Sequence, residues 1–204
     1  MQRPGKIMCV GRNYREHVKE MGNEVPTTPL VFYKPTTSVI ASGEPIVLPA
    51  GVGRVDFEGE IGVVIGAKLT KATAGQAAAA VRGIVAVNDV SARELQKSDP
   101  QWWRAKGYDT FCPIGPEKAG TPDLGELELV TRVNGSERQR CHTREMIFPI
   151  AELLAFISGA VTLEPGDVVL TGTPEGVGPL AAGDVVEVEV VGWSTVKSPV
   201  TAGA

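Results

Sequence analysis

Short hydrophobic runs alternate with breaks that contain glycine and proline along the whole chain. The runs are rich in β-branched residues, which fit a pleated, half-buried strand better than a helix. They occupy residues 6–10, 30–33, 57–65, 84–90, 127–133, 168–171 and 185–191. This spacing predicts a β-rich core that runs through the entire chain.

The breaks carry turn and helix signals. Asn134-Gly135 follows one run, and both residue types tolerate the positive φ of a two-residue hairpin turn. The segment 149–158, PIAELLAFIS, begins with proline, which is favoured in the first turn of a helix, and Gly159 follows it. We therefore predict a hairpin at residues 134–135 and a core helix over residues 149–158.

Capping signals predict two further short helices. In a capping box, a Ser or Thr is followed three residues later by Glu or Gln, and the two satisfy free N–H groups at the helix start. Thr73 with Gln76 forms such a pattern, and Gly83 can end that helix. Ser91 with Glu94 repeats the pattern directly after the run 84–90.

Length and composition predict one globular domain, residues 1–204. Hydrophobic residues make up 43% and charged residues 22%, which excludes disordered and fibrous classes. The net charge of −4 offers no basic surface for nucleic acid or an anionic membrane. A small-molecule substrate or a protein partner remains.

Targeting and redox signals are weak. No apolar run approaches the roughly 20 residues that cross a bilayer, and the opening MQRPGKIMCV lacks the apolar core of a secretory signal. The sequence therefore predicts a cytoplasmic protein. Cys9, Cys112 and Cys141 form no Cys-x-x-Cys pair, so we expect three reduced thiols that pack in the core.

Two glutamates lie inside the apolar run 57–65. Because side chains alternate faces along a strand, Glu58 and Glu60 share one face, and Phe57, Ile61 and Val63 point to the other. Like charges repel in a partly dry site, and a hard cation relieves that repulsion. The alternative is a solvated strand face at a sheet edge.

A third carboxylate, Asp89, lies at the end of the run 84–90. By analogy with open α/β sheets, functional groups gather at the carboxyl ends of strands. The alternative is a simple turn residue. Three oxygen ligands with neither Cys nor paired His suit Mg²⁺ or Mn²⁺ better than zinc, and they leave positions open for water and substrate.

The segment GRNYREHVKE predicts a helix of two turns. Asn13 suits the N-cap position, with Glu16 at the third helical position, and Gly22 can end the helix. His17 and Glu20 are three residues apart and share a face. A carboxylate beside a histidine raises its basicity, as a general base near neutral pH requires. The alternative is an exposed polar helix held by charge pairs along its surface.

Seven segments occur in one order along the chain. They are GRNYREHVKEMG, PLVFYKPTTSV, VDFEGEIGVVIG, NDVSARELQ, WWRAKGYDTFCPIGP, MIFPIAELLAFIS and LTGTPEGVG. Together they resemble the fumarylacetoacetate hydrolase family, most closely its short single-domain branch of acylpyruvate hydrolases and oxaloacetate decarboxylases or tautomerases. The resemblance implies an α+β fold, predominantly β, arranged as a mixed sandwich or roll with a few short helices and often found as a homodimer.

The resemblance also implies a ligand set and a lid. One Mg²⁺ or Mn²⁺ per chain would be held by Glu58, Glu60 and Asp89, the carboxylates already identified by their spacing. A helix that carries His17 and Glu20 would close over the bound substrate.

Further site residues rest on the resemblance alone. Lys106 matches a catalytic lysine, and Gln96 and Thr173 match positions that contact the substrate; we place Arg12 of the first segment with them. Without the family, Lys106 would be interpreted as a surface amine, Gln96 as a helix-end amide and Thr173 as a turn hydroxyl. No separate N-terminal domain precedes Lys6, so substrate contacts that larger members draw from such a domain are not expected.

The first functional hypothesis is hydrolysis of a carbon–carbon bond in an acylpyruvate. His17, oriented by Glu20, would deprotonate water for attack on the distal carbonyl, and Lys106 would stabilise the oxyanion. The alternative within the family is an oxaloacetate decarboxylase or tautomerase, or a 2-hydroxyhepta-2,4-diene-1,7-dioate isomerase. The alternative from another class is a non-catalytic protein that binds a small acid through its metal.

Overall fold

The computed structural model describes residues 3–120 and 122–203, which form many strands and a few short helices. The strands are β1 Ile7–Gly11, β2 Leu30–Lys34, β3 Val39–Ala41, β4 Ile46–Leu48, β5 Val55–Phe57, β6 Gly59–Ile65, β7 Val81–Asn88, β8 Ser91–Ala92, β9 Cys112–Ile114, β10 Lys118–Ala119, β11 Glu128–Val133, β12 Ser136–His142, β13 Val168–Leu170, β14 Gly178–Pro179, β15 Val185–Val190 and β16 Ser194–Ala202. The helices are α1 Arg15–Glu20, α2 Ala74–Ala79, α3 Arg93–Ser98, α4 Trp103–Gly107 and α5 Ile150–Ala160, and 3-10 turns lie at Thr36–Ser38 and Thr143–Glu145.

These strands form three sheets. The largest has the order β2-β1-β13-β6-β7-β9-β3, with β10 beside β7. A second sheet has the order β12-β11-β15-β16-β4, and a small sheet has the order β14-β5-β8. Pairing is mostly antiparallel, and β1 with β13, β3 with β9, and β4 with β16 are parallel. The fold is therefore α+β and predominantly β, as the resemblance implied.

The largest sheet curls so that its inner face encloses a core. Alternate residues of a strand point to the same face, and those from β1, β6, β7, β9 and β13 meet in one cluster. Its members are Ile7, Cys9, Val64, Val85, Val87, Cys112, Ile114, Val168 and Leu170. A Cβ atom at Gly62 of β6 would lie 2.6 Å from Val85 and 2.7 Å from Val87, so this inner face has no room for a larger residue.

The outer face of the same sheet is covered by helices and by the second sheet. Ile61 and Val63 of β6 pack in one buried cluster with Leu153 of α5 and with Leu129 and Val188 of the second sheet. Burying each such side chain contributes about 1.5–3 kcal/mol relative to leaving it exposed. β6 is therefore buried on both faces, which fixes the register of the residues that it carries.

The structure divides the predicted strand 57–65. β5 ends at Phe57 and β6 begins at Gly59, so Glu58 lies between them. The expectation that Phe57 shares a face with Ile61 and Val63 is wrong, because Phe57 packs in a separate cluster beneath the small sheet. Both glutamates are buried, with Glu58 4% and Glu60 1% exposed, so the alternative of a solvated sheet edge is also wrong.

The hairpin prediction is confirmed. β11 and β12 pair in antiparallel register, and their turn places Asn134 at φ 52° and Gly135 at φ 78°. The prediction for the last helix is confirmed with small changes, because Pro149 is its N-cap and the helix continues through Gly159 to Ala160.

One of the two capping boxes forms. Thr73 and Gln76 cap α2 as predicted, but the helix ends before Ala80, and Gly83 belongs to β7. The box predicted at Ser91 is wrong. Ser91 lies in β8 and Ala92 is the N-cap of α3, and the Ser91 hydroxyl donates to the Asp89 carbonyl oxygen at 2.8 Å.

The cysteines and helices also bear on the sequence predictions. Cys9, Cys112 and Cys141 are buried and form no disulfide, and burial raises the pKa of Cys112 to about 12. These thiols therefore keep their protons at neutral pH.

Within the described ranges, no helix is long and apolar enough to cross a membrane.

Candidate metal centre and active site

Three carboxylates converge at one end of the curled sheet. Glu60 occupies the inward positions of β6 together with Gly62, and Asp89 continues the inward parity of Val85 and Val87 beyond β7. Because β6 and β7 are antiparallel neighbours, with Gly59 opposite Asn88, these carboxylates and that of Glu58 meet. One oxygen from each of the three side chains lies within 4.8 Å of the others.

Three buried cations surround this carboxylate triad of Glu58, Glu60 and Asp89. Lys106 Nζ donates to Glu58 Oε2 at 2.7 Å and to Asp89 Oδ2 at 2.6 Å, so it bridges two of the three carboxylates. Lys34 Nζ donates to Asp89 Oδ1 at 2.7 Å. Arg93 Nη1 lies 2.6 Å from Glu58 Oε1. The negative charges of Glu58 and Asp89 are therefore each paired with buried cations.

Glu60 is the unbalanced member of the triad. Its Oε2 accepts a hydrogen bond from the Gly172 N–H at 2.7 Å, and within residues 3–120 and 122–203 it has no ion pair. Burial raises the pKa of Glu60 well above its usual range, and the charges of Asp89 and Glu58 raise it further. A positive charge beside Glu60 would relieve this repulsion.

In Glu58 and Lys106, neighbouring charges outweigh the effect of burial on the pKa. Burial alone would raise the pKa of Glu58, but Lys106 and Arg93 hold it far below its usual range. Burial alone would lower the pKa of Lys106, but Asp89 and Glu58 raise it. Lys106 therefore stays a protonated ammonium group, which can stabilise negative charge but cannot act as a base.

The triad fits a hard divalent cation. Its three metal-binding groups are carboxylates, whose oxygen ligands Mg²⁺ and Mn²⁺ prefer. The triad contains neither the thiol nor the imidazole ligands that are typical of zinc sites. The buried and unbalanced charge of Glu60 supplies an electrostatic reason for a cation at this place. Glu58, Glu60 and Asp89 could thus hold a metal ion.

Lys34 and Arg93 were missed in the sequence. Lys34 ends β2, is 2% exposed and also donates to the carbonyl oxygen of Lys106. Arg93 opens α3 and binds Asp56 as well as Glu58, and its Nη2 has no partner within the described ranges. A charged residue at the end of an apolar run was the available signal for Lys34, and nothing in the local pattern distinguished Arg93.

His17 and Glu20 form the predicted pair on α1. His17 Nδ1 lies 3.1 Å from Glu20 Oε2, and His17 is buried. Glu20 Oε1 also accepts from the Gly176 N–H at 3.1 Å, which ties the helix to the loop after β13. His17 therefore has a fixed orientation that leaves Nε2 for other partners, and the alternative of a wholly exposed polar helix is wrong.

The N-cap predicted for α1 is wrong. Tyr14 is the N-cap residue, and Asn13 lies just before the helix with its side chain buried. Asn13 Nδ2 donates to the carbonyl oxygens of Thr171 at 2.9 Å and Phe148 at 3.2 Å. Asn13 thus anchors α1 to the sheet rather than capping it, while Gly22 follows the helix at φ 66°, as expected for its end.

One pocket of about 360 Å³ joins these groups, a volume typical of small-molecule sites. His17, Lys106 and the triad line it together with the three predicted contact residues, Arg12, Gln96 and Thr173. Glu20 does not line it and reaches it only through His17.

The pocket wall beside Lys106 is aromatic. Trp102 packs edge to face on Phe32 with ring centroids 5.3 Å apart, and Lys106 Nζ lies 5.2 Å from the Phe32 ring centre. Trp103 is 69% exposed and Phe111 is buried in a core cluster, so neither lines the pocket.

Arg12 stands at the pocket with a strained backbone and no ion pair within the described ranges. Its φ of 59° is uncommon for a residue with a side chain, and such strain concentrates at functional sites. Gln96 Oε1 accepts from Arg93 Nη1 at 2.8 Å, which leaves its amide N–H groups free to donate. Arg12 and Gln96 therefore both offer hydrogen-bond donors to a ligand in the pocket.

Comparison with known proteins assigns the family. Residues 6–201 match the family model described as fumarylacetoacetate (FAA) hydrolase C-terminal. The chain belongs to the fumarylacetoacetate hydrolase family. Members of this family include decarboxylases and isomerases, so the coarse prediction of an enzyme that acts on small molecules is supported.

Relatives cover nearly the full chain. The mitochondrial oxaloacetate tautomerase of Caenorhabditis elegans is 43% identical over 89% of this chain and 88% of its own length. The mitochondrial oxaloacetate decarboxylase of Dictyostelium discoideum is 42% identical over 93% and 90%. The structure of 2-hydroxyhepta-2,4-diene-1,7-dioate isomerase from Mycobacterium marinum matches with a TM-score of 0.90 and 43% identity, over 99% of this chain and 76% of that one.

Proposed function

We propose that this protein is a divalent-metal-dependent enzyme that moves a proton beside the carbonyl of a dicarboxylic 2-oxo acid, with oxaloacetate as substrate and keto–enol tautomerisation as reaction. The observation that carries the proposal is that one pocket is lined both by His17, which Glu20 orients, and by the carboxylate triad. Bound at the triad, Mg²⁺ or Mn²⁺ would act as a Lewis acid toward the 2-oxo group.

His17 is the proposed base. The C3–H bond of the keto form breaks, His17 takes the proton, and the electron pair forms the C2–C3 double bond, which leaves a negative charge on the 2-oxo oxygen. The proton then passes from the His17 imidazolium to that oxygen, so the enol hydroxyl forms and the neutral imidazole is regenerated. Glu20 fixes the imidazole through Nδ1, so Nε2 handles the proton. Lys106, held protonated by Glu58 and Asp89, stabilises the negative charge that develops on oxygen.

The second carboxylate of the substrate suits the donors of the pocket wall. Arg12 has no acidic partner among the described residues, and its guanidinium can bind a carboxylate with two hydrogen bonds. Gln96 also lines the pocket and offers amide N–H groups, since only its oxygen is used by Arg93. The names of the tautomerase and decarboxylase relatives, both of which refer to oxaloacetate, agree with a four-carbon dicarboxylic acid.

Hydrolysis of an acylpyruvate is the second candidate. The pocket volume of about 360 Å³ favours it, since it leaves room for a longer tail and for the water that hydrolysis consumes. In that reaction His17 would deprotonate water, and the carbon–carbon bond would break to give a carboxylic acid and pyruvate.

A substrate panel with chelation distinguishes these candidates. We expect the purified protein to tautomerise oxaloacetate faster than it hydrolyses acetylpyruvate or isomerises 2-hydroxyhepta-2,4-diene-1,7-dioate. Turnover should fall to background after complete removal of metal with a chelator and return when Mn²⁺ is added. Undiminished turnover without metal contradicts the proposal, and faster acetylpyruvate cleavage favours hydrolysis instead. Oxalate binding without turnover of any of the three acids would favour a binding protein.

A further inference from the structure

A buried glutamine of the second sheet reaches the back of the site. Gln139 lies on β12 and is 2% exposed. Thr131 of β11 pairs with Gln139, and the next residue, Arg132, pairs with Glu137. Arg138 is therefore an extra residue that forms a β-bulge. Bulges redirect side chains next to functional sites. Here the bulge accompanies a side chain that points out of its own sheet, toward Gly59 at the start of β6.

Gln139 links two segments that form the pocket. Its Oε1 accepts from the Gly59 N–H at 3.0 Å, between Glu58 and Glu60. Its Nε2 donates to Thr173 Oγ1 at 2.9 Å and to the Pro174 carbonyl oxygen at 3.0 Å. The Thr173 hydroxyl donates in turn to the Gly59 carbonyl oxygen at 2.9 Å, which closes the network.

The contact has no spare room. A Cβ atom on Gly59 would lie 1.9 Å from Thr131 Oγ1, and one on Gly176 would lie 2.2 Å from the Arg138 carbonyl oxygen. The hairpin of β11 and β12 therefore packs tightly against the backbone at both Gly59 and Gly176. Because both N–H groups of the Gln139 amide and its oxygen are used, losing this side chain leaves the Gly59 N–H and the Pro174 carbonyl oxygen without this partner, which is unfavourable for buried polar groups.

We propose that Gln139 is a positioning residue for the reaction: it sets the separation between the Glu58–Glu60 segment and the Thr173 side of the pocket. Gln139 touches neither the substrate nor the triad oxygens and acts through Gly59 and Thr173. The consequence for turnover rests on the proposed function, whereas the consequence for the two segments does not.

Two substitutions separate the contacts of Gln139. Gln139→Leu removes all of them, and Gln139→Glu keeps an acceptor for the Gly59 N–H but loses both donors. Ser158→Ala is the matched control, because Ser158 is also buried and bonds the backbone at Ala72 and Ala155 but does not line the pocket. All three proteins are compared at temperatures where each is fully folded.

Hydrogen–deuterium exchange gives the readout that does not depend on turnover. Exchange in peptides that cover 57–61 and 172–176 should rise in Gln139→Leu and remain at the wild-type level in Ser158→Ala. Gln139→Glu should raise it at 172–176 and less at 57–61. Unchanged exchange in both segments of Gln139→Leu overturns the proposal, whatever the substrate proves to be.

Kinetics then test the link to the reaction. For Gln139→Leu we expect kcat/KM for oxaloacetate to fall roughly 10- to 100-fold, as small displacements of positioned groups do. Combined with Thr173→Val, the losses should be less than additive, since Gln139 acts partly through Thr173. Additive losses, or a fall no larger than that of Ser158→Ala, overturn the positioning role. A wild-type protein inactive on oxaloacetate would contradict the proposed function and leave the exchange result to decide the role of Gln139.

Discussion

We expect replacement of His17 by glutamine to lower the turnover of oxaloacetate by about 10²-fold or more, because the variant lacks the base that we propose for removing the proton from carbon 3. Glutamine keeps the size and one polar end of the side chain, and its amide neither gains nor loses a proton. His17 is 6% exposed and lies on a short helix, so the comparison is made after thermal unfolding shows that the variant is folded.

The chain provides a matched control for this variant. His142 is the second of its two histidines and does not line the pocket. His142→Gln should retain wild-type turnover, measured by the decay of the enol absorbance. A His17→Gln enzyme with the kcat of the wild type would exclude His17 as the base and would leave the metal site without an identified proton acceptor.

Glu60→Gln should weaken metal binding and stabilise the metal-free protein. The variant loses one of the three carboxylates that could hold the ion, and we expect Mn²⁺ affinity to fall by about 10²-fold or more, since even the loss of groups that only support ligands costs 10- to 100-fold. Glutamine can still accept from the Gly172 N–H, while the buried charge that Glu58 and Asp89 repel is gone. The melting temperature in chelator should therefore rise.

The pH dependence gives this prediction a sign. The pKa of Glu60 is raised in the folded protein above its ordinary value of 4.5. The stability that the protonated form contributes is fully present below that ordinary value and is lost as pH rises through the folded pKa. The advantage of Glu60→Gln over wild type in chelator should thus grow from acidic to higher pH.

Glu152→Gln, an exposed change on α5, controls for the loss of a charge. It should alter neither Mn²⁺ affinity nor the pH profile. If Glu60→Gln binds Mn²⁺ as tightly as wild type, Glu60 is not a ligand.

The sequence predicted best where one local rule decides the outcome. Two-residue spacing brought the carboxylates of Glu58 and Glu60 together, although Glu58 lies between β5 and β6, and helical spacing put His17 beside Glu20; both depend only on neighbours in the chain. The turn at Asn134-Gly135 formed for the same reason, because few residue types tolerate its backbone angles.

Predictions failed where distant segments compete for a side chain. Asn13 has the chemistry of an N-cap, yet its amide bonds Thr171 and Phe148, 158 and 135 residues away. Ser91 does not cap α3 because it lies in β8, which pairs with β5 and places Ser91 opposite Asp56. Such choices depend on which strands become neighbours, and no local pattern specifies that.

Buried charges were missed for a related reason. A lysine at the end of an apolar strand, such as Lys34, is ordinarily solvated, and only the arrival of Asp89 from β7 makes its burial tolerable. Gln139 likewise gained its importance from the approach of Gly59 and Thr173 from the other sheet. The triad was visible in the sequence, but the side chains that hold its geometry were not.

The most direct test of the account is a crystal structure grown with Mn²⁺ and oxalate and measured for anomalous scattering. The account predicts one anomalous peak per chain, with one carboxylate oxygen each from Glu58, Glu60 and Asp89 at about 2.0–2.2 Å, two of the four oxalate oxygens, and a water as the sixth ligand. A peak at another place, or none while Lys106 bridges Glu58 and Asp89, would contradict it.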